Sequence, residues 1–380
     1  MKASIFAAPA PEVDLSFLAG TNTARLADEI NSTIKSLRLP PSGLFLGIPD
    51  VDKKFGRLLE PGCLHICAAR PSMGKTVLGV QVAEYHASKG LNVLVWSLEM
   101  SRKQLIIRLI SKHSGITVKK MKNNEIENDE WPLITEAANS VTMATKTLLV
   151  NDLSCVQVSQ INVESKLIHQ NLLKDTGKGL DLIVVDYVQL VDGTETDSQN
   201  RQLEIASVSN GLRCLAKDLH IPIFALAQLN RDLEKRADKR PNMGDLRESG
   251  KIEQDATVIS FLYRDTVYCE DCKNPKVVCT KSHEHGAELL IAKNRDGEIG
   301  GVELYFDGAK QLFAGVDPED KEEAARKAKA DEKVKAAESE KVKTAAASSK
   351  DKSPKKHRNL YDLKPKPDAF SSLDYFMEGA

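Results

Sequence analysis

No run of uncharged apolar residues in this 380-residue chain is long enough to cross a bilayer, so a membrane-spanning helix is not expected. A secretory leader is not expected either. The N-terminus "MKASIFAAPAPEVDLSFLAG" has one early lysine, and Pro9, Pro11, Glu12 and Asp14 interrupt its short apolar patch. Neither sign of charge dominates. Lys and Arg number 53 against 54 Asp and Glu, a net charge of −1, which argues against attraction of nucleic acid to the whole surface. A local basic track, or backbone contacts to phosphate, remains compatible with that balance. Internal repeats are absent. The seven cysteines, without a secretion signal, suit a reducing cytoplasm, where a cluster binds metal more readily than it forms disulfides.

What is present is ordinary for a globular protein: 41% hydrophobic and 28% charged residues, on a chain long enough to bury a sizeable core. Residues 1–20 read as disordered. Segment 21–43 reads as a linker helix and its connection, with Leu26, Ile30, Ile34 and Leu37 at helical spacing before Pro40, Pro41 and Gly43 end the pattern. Such a helix packs on its own domain or docks on a neighbouring subunit. From 44 to 316, strand-like and helix-like runs alternate. "CLHICAA", "NVLVWSLE", "TLLVND", "DLIVVDYVQL" and "IPIFALAQL" are near-continuous apolar strands separated by helices, which implies a mainly parallel sheet covered on both faces. "TVISFLYR", "AELLIAKNR" and "GVELYFD" follow one another without long helices and predict an antiparallel extension. Residues 317–380 are rich in Ala, Lys and Glu with no wide apolar face, and read as a charged flexible tail ending in the acidic-aromatic segment "DAFSSLDYFMEGA".

The most informative stretch is "ICAARPSMGKTVLGVQ". It departs from the G-x-x-x-x-G-K-[ST] phosphate-loop pattern only at its first position, Ala69. That change is tolerated if Ala69 needs no positive φ, whereas Gly74 must let the backbone approach the phosphates. The loop amides of Ser72, Met73 and Gly74 and the following helix N-terminus would face the anion. Lys75 would reach the β- and γ-phosphates of ATP, and Thr76 would help to hold Mg²⁺. Nucleotide hydrolysis also needs an acid on the metal and a group that orients water. Asp186 ends the apolar strand "LIVVD", where a carboxylate faces the ligand crevice. Glu99, after "VLVWSL", is placed to activate water, and Gln228, after "FALA", to sense the γ-phosphate.

Together "AARPSMGKT", "WSLEMS", "IVVDYVQL", "LAQLNRDLEKRADKRPNMGDLRESGKIEQDA", "FLYRD" and "IAKNRDG" resemble the DnaB-like replicative helicases, in their RecA-like C-terminal motor domain. The resemblance implies a RecA-like P-loop α/β fold and a homo-hexameric ring around single-stranded DNA. It implies 5′-to-3′ translocation and unwinding of forked DNA, driven by ATP and Mg²⁺. It assigns Glu99 as the catalytic carboxylate, Asp186 as the Walker-B acid and Gln228 as the nucleotide sensor. Arg295 becomes an arginine finger, with Lys293 beside it, acting on ATP held by the neighbouring subunit. "DLRESG" becomes the DNA-contacting loop, through Arg247, Glu248 and Gly250. Arg231, Lys235, Arg236, Lys239 and Arg240 form a basic run close by. A primase, polymerase, helicase loader or single-strand-binding protein is the class of partner implied, in the cytoplasm of a bacterial or phage-infected cell.

Two features depart from that family. Only about forty residues precede the motor, where the family carries a globular N-terminal domain, so family-style primase contact is in doubt; a compact helicase such as a phage encodes fits the pattern. Second, "YCEDCKNPKVVCTKSHEHGAE" replaces a shorter hairpin loop. Across 268–286, Cys269, Cys272 and Cys279 with His283 or His285 have the ligand chemistry of a Zn²⁺ site that would tie down a hairpin with little core. Cys63, Cys67, Cys155 and Cys214 lie in apolar patterns and read as small core residues. Two rival readings share the nucleotide chemistry: a RecA-like strand-exchange protein, and an assembly factor that binds nucleotide without unwinding. "DLRESG" and "AKNRDG" argue against the first. A complete hydrolytic set argues against the second.

Overall fold

Alternation of apolar residues decides which face of the sheet each strand residue covers. The computed structural model describes residues 26–39, 41–193, 201–273 and 285–316. Its strands are β1 (Leu64–Ala69), β2 (Val93–Ser97), β3 (Leu148–Asn151), β4 (Val156–Gln157), β5 (Leu182–Asp186), β6 (Val191–Asp192), β7 (Ile223–Gln228), β8 (Val258–Tyr263), β9 (Gly286–Asn294), β10 (Gly300–Asp307) and β11 (Leu312–Gly315). Its helices are α1 (Leu26–Ser36), α2 (Pro49–Phe55), α3 (Lys75–Ser88), α4 (Arg102–Ser114), α5 (Val118–Asn123), α6 (Trp131–Ala144), α7 (Val158–Thr176), α8 (Arg201–Leu219), α9 (Gly250–Asp255) and α10 (Glu270–Lys273).

Along β1, Leu64, Ile66 and Ala68 join one buried apolar cluster while Cys67 and Ala69 join the other. β2 and β5 divide in the same way, Trp96 and Val185 to the first face, Val95 and Val184 to the second. That is the two-residue period of a strand buried on both sides. On the first face, Ile205, Val208, Leu212 and Leu215 of α8 and Ile161 of α7 complete the layer. On the second, Val77, Leu78 and Val82 of α3 pack with residues of β9, β10 and β11.

Nine strands form one sheet in the order β11-β10-β9-β8-β1-β7-β5-β2-β3, and β4 pairs with β6 separately. From β8 across to β3 every pairing is parallel. From β8 out to β11 every pairing is antiparallel. The expected parallel sheet with an antiparallel extension is therefore the observed one. β11 was not among the expected strands; four residues after a tight turn are too few for alternation to be read. Ala69 is the last residue of β1 and is not among the residues with positive φ, so alanine in place of the pattern's first glycine costs nothing.

The chain divides into two units, Met1–Ser42 and Gly43–Ala380. In the first, α1 carries Leu26, Ile30 and Ile34, with Leu37 following it, and all four are exposed. Among the described residues no helix is long and apolar enough to cross a membrane. The expected disordered N-terminus and the charged tail both lie outside the described residues.

Candidate active site

The loop between β1 and α3 reverses direction through two left-handed residues, Ser72 at φ 66° and Gly74 at φ 97°. Gly74 is required twice over. A side chain there would be strained, and its Cβ would fall 2.8 Å from the ring of Phe313. Gly74→Ala is expected to cost about 1–3 kcal/mol of stability from backbone strain alone. It should also weaken ATP binding more than about tenfold, because the loop amides lose their alignment. Thermal unfolding and titration with a fluorescent ATP analogue measure the two effects separately.

Lys75 opens α3, with Thr76 half-buried in the same turn. The Lys75 Nζ lies 3.4 Å from Asp186 Oδ1, and the two side chains are only 11% and 5% exposed. It also lies 3.3 Å from the centroid of the Tyr187 ring. Burial pushes the Lys75 pKa below its usual value, against the pull of Asp186 and Glu99, which favour the ammonium. Among the described residues, neither Lys75 Nζ nor either carboxylate oxygen of Asp186 makes a hydrogen bond. A buried cation and a buried anion without hydrogen bonds are costly unless something else completes their coordination. Their chemistry fits a phosphate at Lys75 and a hard divalent cation such as Mg²⁺ at Asp186 and Thr76.

Asp186 and Gln228 are the last residues of β5 and β7, so both stand at the carboxyl edge of the sheet beside the loop. Glu99 lies two residues beyond β2 rather than ending it, and is exposed. It does not cap α4. Ser101 does, through a capping box in which Ser101 and Gln104 exchange hydrogen bonds. The P-loop helix is braced from behind by Glu84, buried on α3, whose carboxylate takes Lys112 and His113 of α4. Those partners outweigh burial and hold the Glu84 carboxyl at about 2.

Two further residues bear on the site without having been expected there. Arg264 follows β8, donates to the Ser72 carbonyl at 3.2 Å, and stacks 3.9 Å from the centre of the Phe306 ring. Burial lowers its pKa to about 10. Arg70 is 6% exposed and donates from Nε and one Nη to Glu234 and from the other Nη to the Leu229 carbonyl. "FLYRD" and "AARPSMGKT" contain both arginines, but a sequence pattern does not say what they touch.

Arg295 and Lys293 stand elsewhere. Lys293 pairs with Ile259 at the start of β8, and the Arg295 amide donates to Thr257, just before that strand. The P-loop instead follows Ala69, which pairs with Leu262 near the end of β8. At a strand rise of about 3.3 Å per residue, the two ends lie roughly 15–20 Å apart, beyond the reach of an arginine side chain. Lys293 Nζ donates to the carbonyls of Glu253 and Ala256, and Arg295 to that of Gln254, so both bind the C-terminal end of α9. This is where cations favourably meet unsatisfied helix carbonyls.

Arg247 and Glu248 lie in the tight turn Met243–Ser249, and their side chains are outside the described residues. Gly250 starts α9, with no heavy atom within 4 Å of where a Cβ would stand. Much of the nearby basic run is neutralised within the domain: Lys235 pairs with Asp232, Arg236 with Asp245, and Arg240 with Glu288. Lys239 lies over the Tyr268 ring.

For the zinc expectation, Cys279 and His283 lie outside the described residues. Cys269 is buried, Cys272 is exposed, and the His285 ring meets the Phe306 carbonyl and stacks on Tyr305. Among the described residues no group of three His, Cys, Asp or Glu is arranged to hold a metal ion. Of the cysteines expected in the core, Cys67 is buried, Cys63 and Cys214 are half-buried, and Cys155 is exposed.

Residues 43–315 match the model of the DnaB-like helicase C-terminal domain family. The chain is 37% identical over 279 residues to the replicative DNA helicase DnaB of Geobacillus stearothermophilus, covering 72% of this chain and 58% of that protein. Against the DnaB helicase of Haemophilus influenzae it is 39% identical over 274 residues, covering 72% and 55%. The chain thus spans less than two thirds of the length of these curated relatives. Among solved structures, the ATPase domain of G40P superposes with a TM-score of 0.65 at 30% identity, covering 77% of this chain and 98% of that one. A DnaB-like replicative helicase, described with its interactions with primase, superposes at 0.67 with 28% identity, covering 77% and 69%.

Proposed function

The chain belongs to the DnaB-like helicase family, and from that premise we propose that it is an ATP-hydrolysing DNA helicase working as a six-membered ring. It would move 5′ to 3′ on single-stranded DNA and open the duplex at a replication fork, in the cytoplasm of a bacterial or phage-infected cell. The supporting observation is the split of the chemistry between two edges of one sheet. Lys75, Thr76, Asp186 and Gln228 share the carboxyl edge, whereas Arg295 stands at the opposite end of β8. A single copy therefore carries the phosphate site and, far from it, the cation that such a site uses during phosphoryl transfer. A second copy, presenting its Arg295, completes the set.

In this reading Lys75 and the loop amides hold the β- and γ-phosphates, and Glu99 orients and deprotonates the attacking water. Gln228 contacts the γ-phosphate. Mg²⁺, held through Thr76 and Asp186, would offset charge on the phosphate oxygens. Arg264, stacked on Phe306 and donating to the Ser72 carbonyl, would brace the phosphate loop from the end of β8. Arg247, Glu248 and Gly250 would follow the DNA backbone without reading sequence. The exposed apolar face of α1 would dock on a neighbouring motor and help to close the ring. Residues 44–316 would form the motor, with the tail from 317 as a tether for a primase, polymerase, loader or single-strand-binding protein.

The test is strand displacement on forked DNA carrying either a 5′ or a 3′ tail, with ATP and Mg²⁺. Unwinding of the 5′-tailed fork alone is the expected result. Unwinding of the 3′-tailed fork would reverse the polarity. DNA-stimulated hydrolysis with strand pairing and no unwinding would return the reading to a strand-exchange protein. A hexamer with neither activity would return it to an assembly factor.

A further inference from the structure

β5 and β7 pair only from Ile183↔Ile223 to Val185↔Ala225. At Asp186 the chain leaves β7 and enters a tight turn, Val188–Leu190. The last residue of β7, Gln228, therefore has no β5 residue opposite its N–H and C=O. The half-buried side chain of Gln189, in that turn, fills the place. Its Oε1 accepts from the Gln228 N–H at 2.9 Å, and its Nε2 donates to the Gln228 carbonyl at 3.0 Å. A primary amide has the same donor and acceptor as a peptide group, so Gln189 continues the ladder for one residue where the strand itself has turned away.

The other side of this segment is held by the phosphate loop. The Leu229 N–H donates to the Ala69 carbonyl at 3.1 Å, and Arg70 donates to the Leu229 carbonyl at 2.7 Å. Main-chain groups of successive strand residues point to opposite sides, so the Gln228–Leu229 backbone is gripped by the segment after Asp186 on one side and by the P-loop on the other. The Gln228 side-chain amide, by contrast, makes no hydrogen bond among the described residues, and so is left for a ligand.

We propose that Gln189 is a positioning residue for Gln228: its side-chain amide fixes the backbone of the sensor relative to Asp186, so that the Gln228 amide meets the γ-phosphate only when the segment after Asp186 is in place. The proposal rests on reading Gln228 as the nucleotide sensor. In this role Gln189 acts on Gln228 through its two main-chain hydrogen bonds. Since the same strand end leads directly into the 230–250 segment, a shift at Asp186 would also be passed toward the DNA-contacting turn.

The experiment compares Gln189→Ala, Gln189→Glu, Gln228→Ala and the Gln189→Ala/Gln228→Ala double variant in the full chain, with single-stranded DNA and ATP. Gln189→Glu keeps shape and acceptor but loses the donor, so it remains informative if the alanine variant folds poorly. Losing a donor that aligns a group for the transition state predicts a fall of about tenfold or more in kcat with KM for ATP within about twofold. The double variant should be no slower than Gln228→Ala alone, because two residues acting as one unit are not additive. Wild-type kcat in both Gln189 variants, or a multiplicative loss in the double variant, would overturn the positioning role and leave the sensor reading standing. Wild-type kcat in Gln228→Ala would remove the sensor reading, and this inference with it.

Discussion

Lys75→Ala is expected to leave a folded chain that hydrolyses no measurable ATP and unwinds no forked DNA. Lys75 is the ion-pair partner of Asp186 in the described site, 3.4 Å from one of its oxygens. Without it, a buried carboxylate faces incoming phosphate with its ion-pair partner gone, and repulsion gains over attraction. Removing one well-placed donor from a preorganised site already costs about 10²–10³ in rate, and here a full charge is lost as well, so the fall should be at least about 10³-fold. Steady-state hydrolysis with single-stranded DNA reads the effect, and thermal unfolding guards against misfolding. Hydrolysis within tenfold of wild type would mean that this loop does not power the chemistry.

The second large effect is expected at the other edge of the sheet. Arg295→Ala should reduce DNA-stimulated hydrolysis by about 10³–10⁵, the range that an arginine supplied in trans provides. The geometry also sets the form of the decisive experiment. Since Arg295 is bonded at the Gln254 carbonyl and its backbone sits before β8, it cannot serve its own P-loop. Mixing Lys75→Ala chains with Arg295→Ala chains, each inactive alone, should restore part of the hydrolysis, because some interfaces then join an intact phosphate site to an intact arginine. Mixed assemblies verified by native mass spectrometry that stay inactive would exclude a finger in trans. Full activity of Arg295→Ala alone would exclude a finger altogether.

Lys75, Asp186 and Gln228 were legible as candidates for one phosphate site because each follows an apolar run within a few residues. A parallel strand delivers whatever follows it to one edge of the sheet. Glu99 was legible only as a type of residue near a strand end: its exclusion from the cap of α4 depends on Ser101 and Gln104 adopting the capping box. Arg295 and Lys293 were named through family resemblance, since a basic pair after a strand has no local meaning. Their distance from the loop became visible only when β9 was seen to run antiparallel to β8. Gln189, Arg70 and Arg264 gave no signal of their contacts. Each meets a partner set by strand register or by a chain reversal dozens of residues away.

Sequence by itself determined the class of fold, the phosphate loop and the side of the sheet on which its acids stand. These follow from short-range facts: the two-residue period of strands, the missing Cβ of Gly74, the intact Gly-Lys-Thr. Tertiary structure alone decided how far Arg295 stands from the P-loop of its own chain and what holds the backbone of Gln228. Those depend on where β5 stops pairing with β7 and on which direction β9 runs. Such pairings are chosen by the packing of the whole sheet, and no local pattern of residues encodes them.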